Sequence, residues 1–332
     1  VKFMLSNFKT PVLFIVFNRV DTTKRVFEAI RKVRPDKLFI AADGPRPGRG
    51  EEGLCKEVRQ VISHVDWDCE VHTLYRDQNL GCGKAVSSAI NWFFEQVEEG
   101  IILEDDTLPN ESFFQFCERL LEKYRHNKEI AHINGSNFQL GKKRGKASYY
   151  FSHYPMIWGW ATWRRAWKEY EFDMRSYPSV SSSPGFWSIF NRSKEIAYWK
   201  TIFDNMYEGL ATGNITIDTW DYQWYYSCFK QKKLVVTPNE NLISNIGFGE
   251  NATHTKSKSL VSYLPFAELG TINHLERIIV SKRADIKVFD IYFLPPIGLL
   301  GQFRLFSLKL LPVSFVKTVR KWKHKMIGKT AL

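Results

Sequence analysis

Three acids in a row, Glu104-Asp105-Asp106, follow the apolar run Ile101-Ile102-Leu103, which reads as the end of a buried strand. Neighbouring carboxylates repel one another unless a hard cation neutralises them, and the carboxyl edge of a parallel sheet is where open α/β folds place ligands. A Mg²⁺ or Mn²⁺ ion joining one of these carboxylates to a diphosphate would stabilise the charge that builds on a departing nucleoside diphosphate. The same stretch also reads as a helix start. Asp106 and Thr107, followed by Pro109 and Asn110-Glu111-Ser112, could cap a helix over Phe113 to Tyr124.

The elements needed to position such a cluster are legible upstream. Val12 to Phe17 is a continuous apolar run of strand length, and Asp21-Thr22-Thr23 can cap the amphipathic stretch of Val26, Ile30 and Val33. Lys37 to Ala41 reads as a second strand running into the loop Asp43-Gly44-Pro45-Arg46-Pro47-Gly48, with a helix over roughly 51–63. Glu70 to Tyr75 is a third strand, Asn79 to Gly83 a turn, Lys84 to Gln96 a helix and Gly100 to Leu103 a fourth strand. The alternation predicts a parallel sheet with right-handed crossovers. Beyond a helix near 113–123 and a strand at 130–133 the regularity fades. Residues 149–167 are rich in aromatics, 176–185 read as a mobile Ser/Pro loop, and a helix follows over roughly 193–208.

The chain has 332 residues, 44% hydrophobic and 25% charged, which suits a folded domain with a sizeable core and excludes extensive disorder. Its net charge of +12 is concentrated at the end: residues 301–332 hold eight Lys and Arg and no acid, interleaved with Phe303, Leu305, Phe306, Phe315 and Trp322. This basic amphipathic pattern suits either an anionic membrane surface or a solvated terminal helix. Because the excess charge sits there and no reader motif appears, nucleic-acid binding is not expected. Five scattered cysteines without a Cys-x-x-Cys pair argue for a reducing compartment and against a zinc site. With no apolar run near the ~18 residues of a membrane span, the expectation is a cytoplasmic protein, peripheral at the inner membrane face.

The residues at four strand ends together resemble the nucleotide-binding part of a GT-A glycosyltransferase: Phe17-Asn18-Arg19, Asp43-Gly44, Arg76 to Gly81, and Glu104-Asp105-Asp106. Within that superfamily the acid triplet is similar to the Val-Glu-Asp-Asp-Leu metal motif of the inverting N-acetylglucosaminyltransferase I group and its bacterial haemolysin-like relatives. The resemblance implies an α/β fold of the GT-A, Rossmann-like type, with a mostly parallel sheet and flanking helices over residues 11–272. Residues 273–332 would be a helical basic extension.

Carried onto this chain, the resemblance implies that Asp43 accepts a hydrogen bond from a uracil ring and that the Phe17-Asn18-Arg19 backbone shapes the base pocket. Arg76, Gly83 and Lys84 would face phosphate, although the related transferases carry a His-Tyr pair where this chain has Gly83-Lys84. Asp106 would ligate Mn²⁺ or Mg²⁺, with Glu104 and Asp105 nearer the sugar and ribose. Asp218-Thr219-Trp220-Asp221-Tyr222-Gln223-Trp224 resembles the Trp-Asp-Asp-Trp stretch that supplies the base, which points to Asp221, with Asp218 as the alternative. Trp220 and Trp224 would exclude water and stack on sugars, and the Trp158-Gly159-Trp160 turn would line the pocket. His254 would be a late metal ligand and the Gly247-Phe248-Gly249 loop would fold over the diphosphate. Each residue also has a plainer reading: Asp43 as a turn residue, Asp221 as an exposed acid beside core aromatics, His254 as a surface residue. The implied reaction moves a sugar from a UDP-sugar to a hydroxyl of a bacterial surface glycan or its lipid-linked precursor. A sugar-1-phosphate nucleotidyltransferase would need a Gly-rich loop after the first strand, which Asn18-Arg19-Val20-Asp21 lacks. A membrane-active protein driven by the tail would leave the acids unexplained.

Overall fold

A computed structural model describes residues 8–248 and 264–294. Two compact units divide the chain between Phe289 and Asp290, and the sheet and all the strand-end loops belong to the first. That unit begins with β1 (Val12–Val16), α1 (Val20–Val33), β2 (Lys37–Ala42), α2 (Glu52–Ile62), β3 (Glu70–Tyr75), α3 (Cys82–Gln96), β4 (Glu99–Glu104), β5 (Thr107–Pro109) and α4 (Glu111–Tyr124). It continues with β6 (Ile130–Asn134), β7 (Tyr149–Ser152), β8 (Trp160–Trp163), the short α5 (Arg164–Trp167), α6 (Tyr177–Ser181) and α7 (Pro184–Trp187), then α8 (Ser193–Thr212), α9 (Asp221–Lys230), β9 (Leu234–Pro238), β10 (Ile243–Asn245) and α10 (Lys282–Val288).

The architecture is the expected α/β one, a large sheet flanked by helices. Eight strands run in the order β3-β2-β1-β4-β8-β6-β9-β7. Parallel pairing joins β3, β2, β1 and β4, and also β6 with β9, while β8 and β7 run antiparallel to their neighbours. The chain moves outward from β1 to β3 and then crosses back to lay β4 on the other side of β1. That reversal opens a crevice at the carboxyl ends of β1 and β4.

Both faces of the parallel half are covered, so its strands read as unbroken apolar runs. Along β1, Val12, Phe14 and Val16 meet Val26 and Ile30 of α1 and Val58 of α2, whereas Leu13 and Ile15 meet Ala89, Ile90 and Phe93 of α3. Each of the buried Val, Leu, Ile and Phe side chains among these contributes roughly 1.5–3 kcal/mol. Helix α4 is capped by Asn110, whose side chain accepts from the Phe113 N–H at 3.0 Å. Thr107–Pro109 is instead a short strand paired antiparallel with β10. Asp106 is thereby released from capping duty, which removes the helix-start reading of the acid triplet.

Three sequence expectations are corrected. Trp160 lies on β8 and is 0% exposed, stacked on His132 at 4.8 Å and on Trp220 at 5.6 Å; it is core and does not line the cleft. Trp220 and Trp224, each 1% exposed, belong to the same cluster with Trp167, so neither offers a face to a sugar. The 176–185 stretch forms α6 and α7, anchored by buried Tyr177 and Phe186. The first unit also runs past residue 272: Ser152 donates to Asp285 of α10 at 2.6 Å. The basic segment 301–332 lies outside the described residues, and among those described no helix is long and apolar enough to cross a membrane.

His132, fully buried, donates from Nε2 to the Met156 carbonyl at 3.1 Å and accepts at Nδ1 from the Trp224 indole at 3.1 Å, which fixes the neutral ring. Burial pushes its pKa down to about 3. Between pH 3 and 6.5 the unfolded chain therefore holds a proton that the folded one does not, and stability falls as pH falls through this window by up to about 1.4 kcal/mol per unit. In urea unfolding at pH 4 to 7, the acid-side decline of the wild type is expected to exceed that of His132→Gln; parallel curves would contradict it.

Candidate functional site

The crevice at the β1/β4 switch holds a cavity of about 300 Å³, within the size range of small-ligand sites. Its wall includes Phe17, Arg19, Asp43, Arg76, Glu104, Asp105, Asp106 and Asp218. Residues from four strand-end loops and from the segment before α9 thus meet at one place. A more open depression of about 420 Å³ lies between α2 and Arg76-Asp77, without any of the β4 acids.

The acids at the end of β4 dominate the electrostatics. Burial, and then the charges of Asp106, Asp105 and Asp221, push the Glu104 carboxyl well above the usual range. Burial pushes Asp105 up to about 7 against the opposing pull of Arg19. Arg19, at the N-terminus of α1, sets Nη1 2.7 Å from Asp106 and 3.3 Å from Asp105. Burial alone would lower its pKa, but Asp105, Asp106 and Glu104 outweigh that and the net direction is up. Gly247 closes on the same point, where an added Cβ would sit 2.3 Å from Asp106 Oδ2, and the Asp106 carbonyl accepts from the Ile246 N–H at 2.8 Å.

Arg19 Nη1 occupies the place of a cation between two carboxylates. Among the described residues no group of three or more His, Cys, Asp or Glu is placed to hold a metal. The carboxylate oxygens here are hard donors of the kind a divalent cation takes, and Asp106 is the residue that would hold one. His254 lies outside the described residues.

The neighbouring loops are tied to one another. Asp43 accepts from the Leu80 N–H at 3.1 Å and from Asn79 Nδ2 at 2.9 Å, and burial raises its pKa against those bonds. Asn18 donates to Glu51 at 3.1 Å, and Arg46 donates to the same carboxylate from Nε at 3.0 Å while lying over the Phe17 ring at 5.5 Å. Arg76 donates to Ser88 at 2.8 Å and borders both cavities. Nothing in the motifs singled out Glu51 or Arg46 as the tie between the first two loops; the glutamate sits at the edge of a predicted helix like any surface acid.

Two candidates are placed differently from expectation. Lys84 is exposed on α3 and is not among the cavity-lining residues. The Gly83 N–H donates to Asp218 Oδ1 at 2.9 Å and the Cys82 N–H to Oδ2 at 2.8 Å, so a carboxylate of the protein holds the amide of Gly83, a residue expected to face phosphate. Asp221 opens α9, accepts from Thr219 Oγ1 and lends its charge to the field on Glu104.

Neither a described protein family nor a curated protein matches this sequence. Among solved structures, the chain is similar over 46% of its length to the Pyrobaculum calidifontis mannosyltransferase PcManGT, determined with GDP-Man and Mn²⁺, at 12% identity and a TM-score of 0.33. A TarS fragment, residues 1–349, from S. aureus is similar over 47% of this chain at 10% identity and 0.32. HddC from Yersinia pseudotuberculosis is similar over 43% at 10% and 0.26. The matches span 44%, 47% and 59% of those chains. Likenesses of this size place no activity on the present protein, which rests on its own geometry.

Gly44 marks how tightly the loops pack: a Cβ there would lie 2.5–2.7 Å from the backbone of Asp77 and Gln78. Gly44→Ala is expected to cost about 1–3 kcal/mol in urea unfolding. Gly53→Ala, on α2 with nothing within 4 Å, should stabilise by up to about 1 kcal/mol. Equal effects would contradict the close approach.

Proposed function

We propose that this chain transfers a sugar from a nucleotide-sugar donor to an acceptor hydroxyl at the β1/β4 crevice. The observation that carries the reading is convergence: Arg19, Asp43, Arg76 and the Glu104-Asp105-Asp106 triplet come from four separate strand ends and border one cavity. A structural acid cluster would account for Arg19 but would give no reason for Asp43 and Arg76 to share that wall.

Asp43 is the group that reads the base. Its bonds to Leu80 and Asn79 fix its orientation, and its remaining lone pairs can accept from a uracil N–H, which makes UDP the proposed nucleotide. Arg76 and Arg19 bring positive charge along the cavity toward the diphosphate. A divalent cation, Mn²⁺ or Mg²⁺, when held by Asp106 would neutralise the departing diphosphate. Glu104 and Asp105 border the sugar and ribose. Asp221 takes the proton of the acceptor hydroxyl as its oxygen bonds to the anomeric carbon and the bond to the diphosphate breaks, its electron pair leaving with the diphosphate; attack opposite the leaving group makes the transfer inverting. The acceptor in this proposal is a bacterial surface glycan or its lipid-linked precursor, with residues 301–332 contacting an anionic membrane from the cytoplasmic side.

The test is UDP release from a panel of UDP-sugars with Mn²⁺, Mg²⁺ or EDTA, beside Mn²⁺ binding followed by electron paramagnetic resonance. Metal-dependent, donor-selective hydrolysis is expected, with Mn²⁺ bound more tightly when UDP is present and both signals lost in Asp106→Ala. Asp221→Asn should retain UDP binding and lose on the order of 10²–10⁴-fold in turnover. Failure of every UDP-sugar to bind would remove the uridine assignment, and turnover undiminished in Asp221→Asn would remove the base.

A further inference from the structure

We propose that Asp218 is a positioning residue, a carboxylate latch that pins the 218–221 segment onto the first turn of α3 and so fixes the place of Asp221. Its effect on catalysis rests on the transferase reading above; the latch itself does not. Both Asp218 oxygens are engaged, Oδ2 by the Cys82 N–H at 2.8 Å and Oδ1 by the Gly83 N–H at 2.9 Å. Successive amides at the start of a 15-residue helix are orphan donors at its positive end, where an acid is favoured.

The fit is closed from both sides. A Cβ on Gly81 would lie 2.4 Å from Asp218 Oδ2, and one on Gly83 would lie 2.8 Å from both Asp218 Oδ1 and the Thr219 carbonyl. The glycines of this turn admit the carboxylate and the backbone that follows it. From there the path to Asp221 is short and held: Thr219 accepts from Gln223 Nε2 at 3.0 Å and donates to the Asp221 carboxylate, while Trp220 is buried. With both oxygens committed to α3, Asp218 is assigned the positioning role, and Asp221 keeps the proton-acceptor role proposed above.

Amide exchange at Cys82 and Gly83 reads the latch directly, and donor turnover reads its consequence. Asp218→Ala is expected to speed exchange at both amides by about tenfold or more, the worth of a hydrogen bond to a charged group. It should lower kcat on the order of 10²-fold through misplacement of Asp221, with KM for the donor changed by less than about threefold. Asp218→Asn keeps one good acceptor and should recover part of both effects. Gly83→Ala, which pushes the segment away while suiting the helix, should reproduce the loss, and combined with Asp218→Ala should cost less than the sum of the two. Unchanged exchange in Asp218→Ala would overturn the latch; a raised KM with retained kcat would place Asp218 against the donor instead. If the wild type turns over no nucleotide-sugar, the transferase reading fails, while exchange still decides the latch. If Asp218→Ala does not fold, Asp218→Asn and Gly83→Ala carry the test.

Discussion

The end of β4 sets the terms for everything around it. Three successive acids stand where the sheet has already removed most of the water, and Asp221 adds its charge to the field there. Charges only a few ångströms apart at low effective dielectric interact by several kcal/mol, so the cluster is relieved both by the raised pKa values of Glu104 and Asp105 and by a neighbouring cation. Arg19 supplies one, and it can do so because β1 lies directly against β4 and delivers its following residues to the same edge. Adjacency in the sheet and neutralisation of the acids are therefore one requirement. The antiparallel β5–β10 pair follows the turn that carries Asp106 and sets Gly247 against its carboxylate.

Around that point the loops form a frame. The second loop meets the third with no room for a methyl group at Gly44, Asp43 bonds to the Asn79-Leu80 turn, and Glu51 gathers Asn18 and Arg46. Groups locked in this way lose little further freedom when a ligand enters, which favours affinity without new contacts. Arginines whose donors are already satisfied by carboxylates or hydroxyls also exchange one partner for another without stranding a buried charge.

The parallel half of this arrangement was legible in the sequence because strands buried on both faces have nothing to alternate with. Val12 to Val16 and Ile101 to Leu103 announce themselves as unbroken apolar runs, and the chemistry-bearing residues follow them directly. The helix starts were less clear: α1 begins at Val20 with Arg19 turned toward the acids, so Asp21, Thr22 and Thr23 fall inside its first turn. The second half was misread where burial depends on partners distant in sequence. Trp160 and Trp220 look like cleft aromatics until β8 is inserted between β4 and β6 and α9 is laid over it. Asp218 likewise gives no local sign that its partners are the amides of residues 82 and 83. Periodicity reports a residue's own element; it carries nothing about an acceptor more than a hundred residues away.

That distance shapes how the protein comes into being. The pair that ties Arg19 to Asp106 closes 87 residues of chain, and the one from Cys82 to Asp218 closes 136. Closing such loops costs entropy before any contact repays it, and topologies dominated by remote pairing fold slowly. The crevice is complete only once both of these long loops are closed. During synthesis from the N-terminus, α3 emerges well before the acceptor for its first amides exists, so a nascent chain ending before residue 218 carries the acids, the arginines and the glycine turn without the piece that closes them.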